Sequence, residues 1–331
     1  MTGGIQDLPN PPNMDAMKRQ IEIEFRAYVN AISVLGALRD YFEEHSFTCY
    51  IEKKIEKKAG NYKTPDLLVR SDSFVIIDHK YTESDDDKNL NDKIEKMNEY
   101  STIFVFKDQE SSVPVEFQPE CVMLTPREII KYLRKKTNCP VTWGYKLDGT
   151  VAIEQSIGKV KDSRIGSLFS PTLLAPISDE ARRYKFILSH APKSYTTFQV
   201  FAILWNMHSA KDYLKPTFQV KYSEILKYFN QSFSPWISPE AMQLNTTRLK
   251  EALRFLDGLH WINLLDSDSG KTIVVIRRKG RSMGNVIPYL INEQVKEEYA
   301  KELKKYVKQS EKTKAPKEKP EFKQERLTDY F

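Results

Sequence analysis

Two aspartates and one lysine stand at spacings that suit metal-dependent chemistry. Asp78 and Lys80 lie at positions i and i+2 of a predicted strand, so their side chains leave the same face of a sheet. Asp66 begins the strand before it, and an antiparallel pairing across the predicted turn at residues 70–73 would bring it close to Asp78. Phosphodiester hydrolysis uses carboxylate-bound Mg²⁺ or Mn²⁺ together with a nearby cation. The three residues therefore predict a hydrolase of that kind.

A carboxylate on the first predicted helix would complete the metal site. Apolar residues recur at helical spacing over about residues 18–44, and Glu22 and Glu24 lie near the start of this stretch. Glu24 is the preferred candidate because it precedes Phe25 at the edge of the buried stripe, whereas Glu22 is expected to face solvent. We therefore predict Asp66, Asp78 and Glu24 as ligands of Mg²⁺ or Mn²⁺.

The elements around these residues predict an α/β domain with a mixed sheet over residues 15–155. After the first helix, apolar runs and turn residues indicate three strands, a helix, two strands and a helix. Thr125 is the predicted N-cap of the second of these helices, and a hairpin follows that helix. The predicted bounds are strands 47–57, 66–70, 74–80, 102–106 and 121–124, helices 91–100 and 127–136, and hairpin strands 142–146 and 151–155.

The motif around the acidic pair resembles a known nuclease signature. Pro65-Asp66, eleven residues and then Asp78-His79-Lys80 is similar to the pattern of the PD-(D/E)xK nuclease superfamily, which includes type II restriction enzymes and archaeal Holliday junction resolvases. The core of that family has the order α-β-β-β-α-β. The order predicted for about residues 18–107 agrees with it.

The resemblance implies a role for each residue. Asp66 and Asp78 would bind the metal, Lys80 would position or activate the nucleophilic water, and Glu24 would be the helix carboxylate. His79 would point to the opposite face of the sheet and have no role in the chemistry.

A second module is predicted over residues 179–291, after a connector at 156–178. Helices at 198–207, 222–229 and 246–256, followed by strands at 261–265 and 272–278, have the order of a winged helix-turn-helix with the third helix as recognition helix. Such modules bind DNA or other proteins, and DNA is the preferred partner because basic side chains lie on the third helix and beside the hairpin. These are Arg248, Lys250, Arg254, Arg277, Arg278, Lys279 and Arg281.

The end of the chain resembles a PIP box, the peptide by which replication and repair proteins bind the sliding clamp PCNA. A helix at 292–307 and a charged, flexible linker at 308–323 are predicted to precede it. The resemblance implies that a short turn presents the side chains that bind the clamp, which are Gln324, Leu327, Tyr330 and Phe331. The alternative is that these residues fold back onto their own domain.

Charge and composition narrow the class of protein. Residues 1–160 carry 22 Lys and Arg against 26 Asp and Glu, whereas residues 161–331 carry 29 against 19, so the basic surplus lies in the second half. An acidic part beside a basic part suits a protein that holds cations in one place and a polyanion in another. The scattered cysteines, Cys49, Cys121 and Cys139, argue against a zinc site and against disulfides. Residues 1–14 are predicted to be disordered, and nothing indicates export or a membrane span.

Taken together, these features predict a metal-dependent DNA endonuclease that the clamp recruits to replication or repair sites, in an archaeal cytoplasm or a eukaryotic nucleus. DNA and PCNA are the expected partners. Two alternatives are a restriction-like or transposon-end-cutting nuclease and a non-catalytic, clamp-bound DNA adaptor with an inert nuclease fold. The DNA structure that is cut, the position of the cut and the oligomeric state, a homodimer included, stay open.

Overall fold

The computed structural model describes most of the chain. The described residues are 11–58, 60–80, 87–107, 113–148, 150–169, 175–178, 191–212, 217–233, 239–266, 272–277 and 286–314. The predicted clamp-binding peptide and part of the predicted disordered N-terminus, residues 1–10, lie outside them.

The first part of the chain alternates helices and strands. Its elements are α1 (Met14–Glu44), β1 (Thr48–Ile51), β2 (Ile55–Lys57), β3 (Tyr62–Lys63), β4 (Leu67–Arg70), β5 (Phe74–His79), α2 (Asp87–Asn98), β6 (Phe104–Phe106), β7 (Val115–Phe117), β8 (Glu120–Pro126), α3 (Arg127–Leu133), β9 (Val141–Leu147), β10 (Val151–Ile157), α4 (Ser163–Leu168) and β11 (Ala175–Ser178).

Helix α1 begins where a side chain caps it. The side chain of Asn13 accepts a hydrogen bond from the N–H of Ala16 at 3.0 Å, which satisfies one of the free donors of the first turn. Tyr28, Ile32 and Leu35 then recur at the spacing of one buried face. The helix therefore starts at residue 14, earlier than the apolar periodicity alone predicts.

A seven-stranded mixed sheet forms the centre of this part, which confirms the predicted α/β class. The strand order is β1-β4-β5-β8-β9-β10-β11. The pairs β5–β8 and β8–β9 are parallel, and the other pairs are antiparallel. A smaller sheet has the order β3-β2-β6-β7.

The two faces of the central sheet are covered by different elements. Leu67, Val69, Val75 and Ile77 belong to the same buried cluster as the apolar face of α1. Leu68 and its neighbours on the other face belong to a second cluster with α2 and the smaller sheet. Burial on both faces explains why β4 and β5 are continuously apolar in sequence.

Several predicted details of this part are wrong. The strand predicted at residues 47–57 is two strands, β1 and β2, which belong to different sheets. Residue 125 is not a helix cap, since the hydroxyl of Thr125 donates to the carbonyl of Lys80 and no side chain caps α3. Strands β3 and β7 were not predicted, and β11 lies inside the predicted connector yet pairs with β10.

In its described residues, the second part contains three helices and three strands before a long last helix. They are α5 (Lys193–Asp212), β12 (Thr217–Lys221), α6 (Tyr222–Phe233), α7 (Pro239–Gly258), β13 (Ile262–Asp266), β14 (Thr272–Arg277) and α8 (Val286–Lys314). The three strands form an antiparallel sheet in the order β12-β14-β13. The three helices and the β13–β14 hairpin are as predicted, whereas β12 was not predicted.

Helix α8 is longer than predicted and joins the two parts. It begins before residue 292 and continues beyond residue 307, so the first residues of the predicted flexible linker are helical. Ile291 and Val295 of α8 form a buried cluster with Ile21 of α1. The rings of Tyr28 and Tyr195 also meet across the two parts, with centroids 4.7 Å apart. None of the helices in the described ranges has the length and apolar character of a membrane span.

Candidate active site

The antiparallel pairing of β4 with β5 brings the two predicted aspartates together. Leu67 pairs with Ile77, so Asp66, one residue earlier, lies opposite Asp78, one residue later. Both aspartates are buried, with 8% of Asp66 and 4% of Asp78 exposed. Because side chains alternate along a strand, both point to the face of the sheet that α2 covers. This is the juxtaposition that the sequence predicts for an antiparallel pair.

Backbone amides fix the orientation of both carboxylates. The N–H of Asp66 donates to Oδ1 of Asp78 at 2.8 Å. The N–H of His79 donates to Oδ2 of Asp66, also at 2.8 Å. Each amide lies just beyond the paired residues of β4 and β5 and is therefore available to a side chain.

Lys80 is held beside this pair by strand β8. Its N–H donates to the carbonyl of Leu124 at 2.8 Å, and its carbonyl accepts from the hydroxyl of Thr125 at 3.1 Å. Its ammonium lies 2.9 Å from Oδ2 of Asp78. Burial lowers the pKa of Lys80, but the charges of Asp78 and Asp66 outweigh burial and raise this pKa above its ordinary value. Lys80 is therefore a cation at neutral pH.

The pKa of Asp66 is raised to about 8. The causes are burial first and then the negative charge of Asp78, opposed by the Lys80 ammonium and by the N–H of His79. Burial and a neighbouring negative charge both disfavour the charged form of a carboxyl group. The ammonium of Lys80 therefore does not offset the combined effect of burial and Asp78 on Asp66.

A third carboxylate, Glu52, lies beside Asp66 and was missed in the sequence. It follows the last residue of β1 and is buried, and its N–H donates to the carbonyl of Asp66 at 3.2 Å. Its charge also contributes to the raised pKa of Asp66. Glu52 has a φ of +48°, which takes the chain out of β1 at this point. The polar run Glu52-Lys53-Lys54, which interrupts the apolar residues, is a sign of that break in the sequence.

The predicted helix carboxylate lies elsewhere. Glu24 is exposed and accepts a hydrogen bond from Nε2 of Gln20 at 2.7 Å. Helix α1 packs against the sheet face that carries Leu67 and Ile77, whereas the aspartate pair is on the other face. The structure therefore does not bring Glu24 to the pair, and the alternative residue, Glu22, lies on the same helix beside Lys18.

A cavity of about 430 Å³ opens onto the aspartate pair. Polar side chains from β3, the β4–β5 hairpin and the end of α2 surround it. The lining residues are Lys63, Thr64, Asp66, Asp78, His79, Lys80, Lys96, Glu99 and Tyr100.

Further cations lie on the walls of this cavity. Lys63 of β3 forms an ion pair with Glu99, and Lys96 of α2 lies close by. Lys93, on the same helix, has a pKa lowered to about 8 by burial and by the charges of Lys80 and Lys96. Positive charges therefore surround two carboxylates, an arrangement that suits an anionic substrate above a cation site.

Tyr100 also lines this cavity and was predicted only as an apolar position of a helix. It is 5% exposed and lines the same cavity as Asp78. Burial and then the charge of Asp78 raise the pKa of Tyr100 above its ordinary value, so the phenol is neutral and can donate.

His79 points away from the cavity with its side chain, as the alternation of the strand predicts. Its Nε2 lies 2.9 Å from the hydroxyl of Tyr145, a buried residue of the α1-side core. Its backbone N–H nevertheless holds Asp66. The side chain therefore supports the core, while the main chain orients a carboxylate.

The donor set suits a hard divalent cation. Asp66 and Asp78 offer carboxylate oxygens, the ligands that Mg²⁺ and Mn²⁺ prefer. The raised pKa of Asp66 reflects burial first and then the negative charge of Asp78, and a bound cation would favour the ionised form against both. Within the described ranges, no group of three His, Cys, Asp or Glu side chains is arranged to hold a metal. Asp66 and Asp78 are the candidate ligands that the sequence and the cavity share.

The predicted DNA-binding residues are only partly described. On α7, Lys250 and Arg254 are exposed and Arg248 is half-buried, while Leu249 and Leu253 face the core. The side chain of the residue that ends β14, and the residues that follow it, lie outside the described part of the chain. They are Arg277, Arg278, Lys279 and Arg281. The same holds for the predicted clamp-binding residues, Gln324, Leu327, Tyr330 and Phe331.

Comparisons with known proteins found no counterpart for this arrangement: no protein-family model, no curated protein and no solved structure matches the chain.

Proposed function

We propose that this protein is a metal-dependent DNA endonuclease with its active site at Asp66, Asp78 and Lys80. One observation carries the proposal: two buried carboxylates and a lysine converge at the end of a buried hairpin, beside a cavity with further lysines on its walls. Structural ion pairs do not need such a cavity. A buried acidic pair beside a cleft is typical of a catalytic site.

The residues divide the chemistry between them. Asp66 and Asp78 would hold Mg²⁺ or Mn²⁺, which in phosphodiester hydrolysis activates water and neutralises charge on the phosphate. Lys80 stays protonated, so it would stabilise the negative charge that develops on the phosphate rather than act as a general base. Lys63 and Lys96 would contact the phosphates of the strand that is cut.

The surrounding elements support a relation to the PD-(D/E)xK nucleases. A helix, α1, precedes the strands β1, β4 and β5 and covers one face of the sheet, and α2 covers the other. The motif lies on the β4–β5 hairpin, as the resemblance requires. We therefore propose a restriction-endonuclease-like core, extended by the smaller sheet.

We propose that the second part is a winged helix that binds DNA. The order α5-β12-α6-α7-β13-β14, with the last two strands as a hairpin, supports this fold. Helix α7 would be the recognition helix, and its exposed Lys250 and Arg254 would meet the phosphates beside a groove. Two DNA-binding parts in one chain would place the cut at a fixed distance from the bound duplex.

The last part of the proposal is recruitment by the sliding clamp PCNA. The sequence Gln324-Glu325-Arg326-Leu327-Thr328-Asp329-Tyr330-Phe331 supports it through its similarity to the PIP box. A tethered clamp ligand raises the local concentration of the enzyme on clamp-loaded DNA without further contacts to DNA. This role separates the proposal from cutting of foreign DNA.

The experiment is a cleavage assay on a panel of labelled DNAs. Duplex, single-stranded, flapped, splayed and four-way substrates are incubated with Mg²⁺ or Mn²⁺ and the wild type, Lys80→Ala or Lys131→Ala. Lys131 is an exposed lysine of α3 and serves as the matched control. We expect cleavage of at least one substrate by the wild type and by Lys131→Ala, and a loss of about 100-fold or more with Lys80→Ala.

The outcomes separate the proposal from its alternatives. Cleavage that survives Lys80→Ala refutes the assigned site. Tight DNA binding without cleavage of any substrate supports a clamp-bound adaptor instead. Cleavage of one short duplex sequence in preference to every branched substrate supports a restriction-like enzyme.

A further inference from the structure

The smaller sheet carries an exposed tyrosine next to the candidate active site. Strand β3 is an edge strand of that sheet and pairs with β2, where Tyr62 lies opposite Glu56. The Glu56 carboxylate forms an ion pair with Lys107 at 3.3 Å. Tyr62 is 53% exposed, more than any other aromatic residue in the described ranges. Its ring therefore offers a flat apolar surface to the solvent.

The segment that carries this ring is rich in lysine. Residues 53–63 contain five lysines and one acidic residue, although residues 1–160 are acidic overall. The lysines are Lys53, Lys54, Lys57, Lys58 and Lys63. The ammonium of Lys54 lies 3.9 Å from the centroid of the Tyr62 ring. Lys58 forms an ion pair with Glu116, but both side chains are exposed, and such pairs are weak enough for a phosphate to replace the carboxylate.

The β2–β3 hairpin leads directly into the candidate active site. Lys63 and Thr64 line the cavity that also contains the aspartate pair. Because side chains alternate along a strand, Tyr62 lies beside Lys63 on the outer side of this wall. The four residues from Tyr62 to Asp66 span at most about 14 Å. Stacked nucleotides rise about 3.4 Å each, so a base on Tyr62 would lie within roughly four nucleotides of a phosphate at the aspartates.

An exposed aromatic ring among lysines suits a nucleic acid whose bases are unpaired. A base stacks on an aromatic side chain through its flat face, while nearby cations hold the phosphates of the same strand. In a duplex, neighbouring base pairs cover these faces, and a base must leave the stack to present one. The lysines alone would suit any polyanion. The ring therefore favours single-stranded or branched DNA over an intact duplex.

We propose that the β2–β3 hairpin binds an unpaired stretch of DNA beside the cut, with Tyr62 as the platform for one base and Lys54 and Lys63 as contacts to the phosphates. The substrate class is then single-stranded or branched DNA, such as a flap or a splayed end. The inference rests on the proposed function, since it takes the aspartate pair as the site of cleavage. It adds the DNA structure that is recognised, which the sequence motif does not specify.

The experiment measures DNA binding by the full chain through fluorescence anisotropy, with a chelator present so that no DNA is cut. A labelled single strand of thymidines and a labelled duplex are titrated with the wild type, Tyr62→Ala, Tyr62→Phe and the control Tyr132→Ala. Tyr132 is a tyrosine of α3 outside the cavity, and its ring centroid lies 4.7 Å from the ammonium of Lys131.

The expected result depends on the ring. Tyr62→Ala should weaken binding of the single strand by about tenfold, the effect of losing one stacked base, and change duplex binding by less than about twofold. Tyr62→Phe keeps the ring and should bind both DNAs as the wild type does. Tyr132→Ala should leave both affinities unchanged.

The outcomes distinguish this inference from the proposed function. Single-strand binding that is unchanged in Tyr62→Ala, with a wild type that cuts DNA, overturns the role of the hairpin and leaves the nuclease intact. Equal losses for the single strand and the duplex, or an equal loss in Tyr62→Phe, also overturn stacking on this ring. A ring-dependent preference for the single strand in a protein that cuts no DNA supports the hairpin and overturns the nuclease.

Discussion

Replacing Asp66 by asparagine tests the electrostatics of the acidic pair without any substrate. The variant keeps an oxygen that can accept from the N–H of His79, and it removes the ionisable group. In the native protein without metal, burial and then the charge of Asp78 raise the pKa of Asp66 from its ordinary value of 3.8 to about 8. Between these two values the folded chain holds a proton that the unfolded chain has released.

The sign and size of the effect follow from this difference. Because the folded state binds the additional proton, the free energy of unfolding of the wild type falls as pH rises through this window. The loss is about 1.4 kcal/mol per pH unit, or roughly 3 kcal/mol between about pH 5.5 and pH 8. Asp66→Asn lacks this term, so it should be the more stable protein at about pH 8.5 and should lose less stability on the way there.

Urea unfolding in the presence of a chelator measures this pH dependence of the free energy of unfolding. The wild type, Asp66→Asn and the control Asp72→Asn are unfolded at several values of pH. At each pH, the free energy of unfolding of each variant is compared with that of the wild type. Asp72 lies in the β4–β5 turn with 81% of its side chain exposed. A difference between Asp66→Asn and the wild type that is constant with pH would refute the reasoning. Added Mg²⁺ or Mn²⁺ should stabilise the wild type at high pH more than the variant.

Three further predictions concern packing, DNA binding and the tail. Gly144→Ala should lower the free energy of unfolding by about 1–3 kcal/mol, because the new Cβ would lie 2.6 Å from a side-chain carbon of Ile130. The control Gly258→Ala should be near neutral, because its new Cβ would meet no atom within 4 Å. Equal effects of the two substitutions in urea unfolding would contradict this prediction. The double substitution Lys250→Ala and Arg254→Ala should weaken binding to all DNA sequences. It should also reduce the slope of log K for DNA binding against log salt concentration by about 2, measured by fluorescence anisotropy at several salt concentrations. An unchanged slope would exclude α7 from the DNA interface. Removal of residues 324–331 should abolish retention by immobilised PCNA and spare cleavage of bare DNA, and retained binding would refute the clamp role of the tail.

The sequence predicted the acidic pair because strong local signals determine it. The run Phe-Val-Ile-Ile before Asp78 is typical of a strand buried on both faces, and the polar turn at residues 70–73 indicates an antiparallel pair with the strand before it. Register then places Asp66 opposite Asp78. Helix α1 was also predicted from a local signal, because its apolar stripe has the period of a helix along most of its length.

The rest of the site depends on contacts that no local pattern contains. The break at Glu52 is a single left-handed residue, and the polar run Glu52-Lys53-Lys54 does not show at which residue the chain leaves the sheet. Tyr100 has the spacing of a core residue, and only the packing of α2 on the sheet brings it to the cavity that Asp78 lines. Glu24 was chosen by its place on the helix, but the face of the sheet that α1 covers is set by tertiary packing.

The most direct test of the central claim is the rate of a single turnover with excess enzyme and Mn²⁺ on the substrate that the panel identifies. We compare the wild type with Asp78→Ala, which removes the carboxylate that accepts from the N–H of Asp66 and from the ammonium of Lys80. The proposed site predicts a loss of about 100-fold or more, since the substitution removes both a metal ligand and the partner of the lysine. A folded Asp78→Ala that cuts at the rate of the wild type would contradict it.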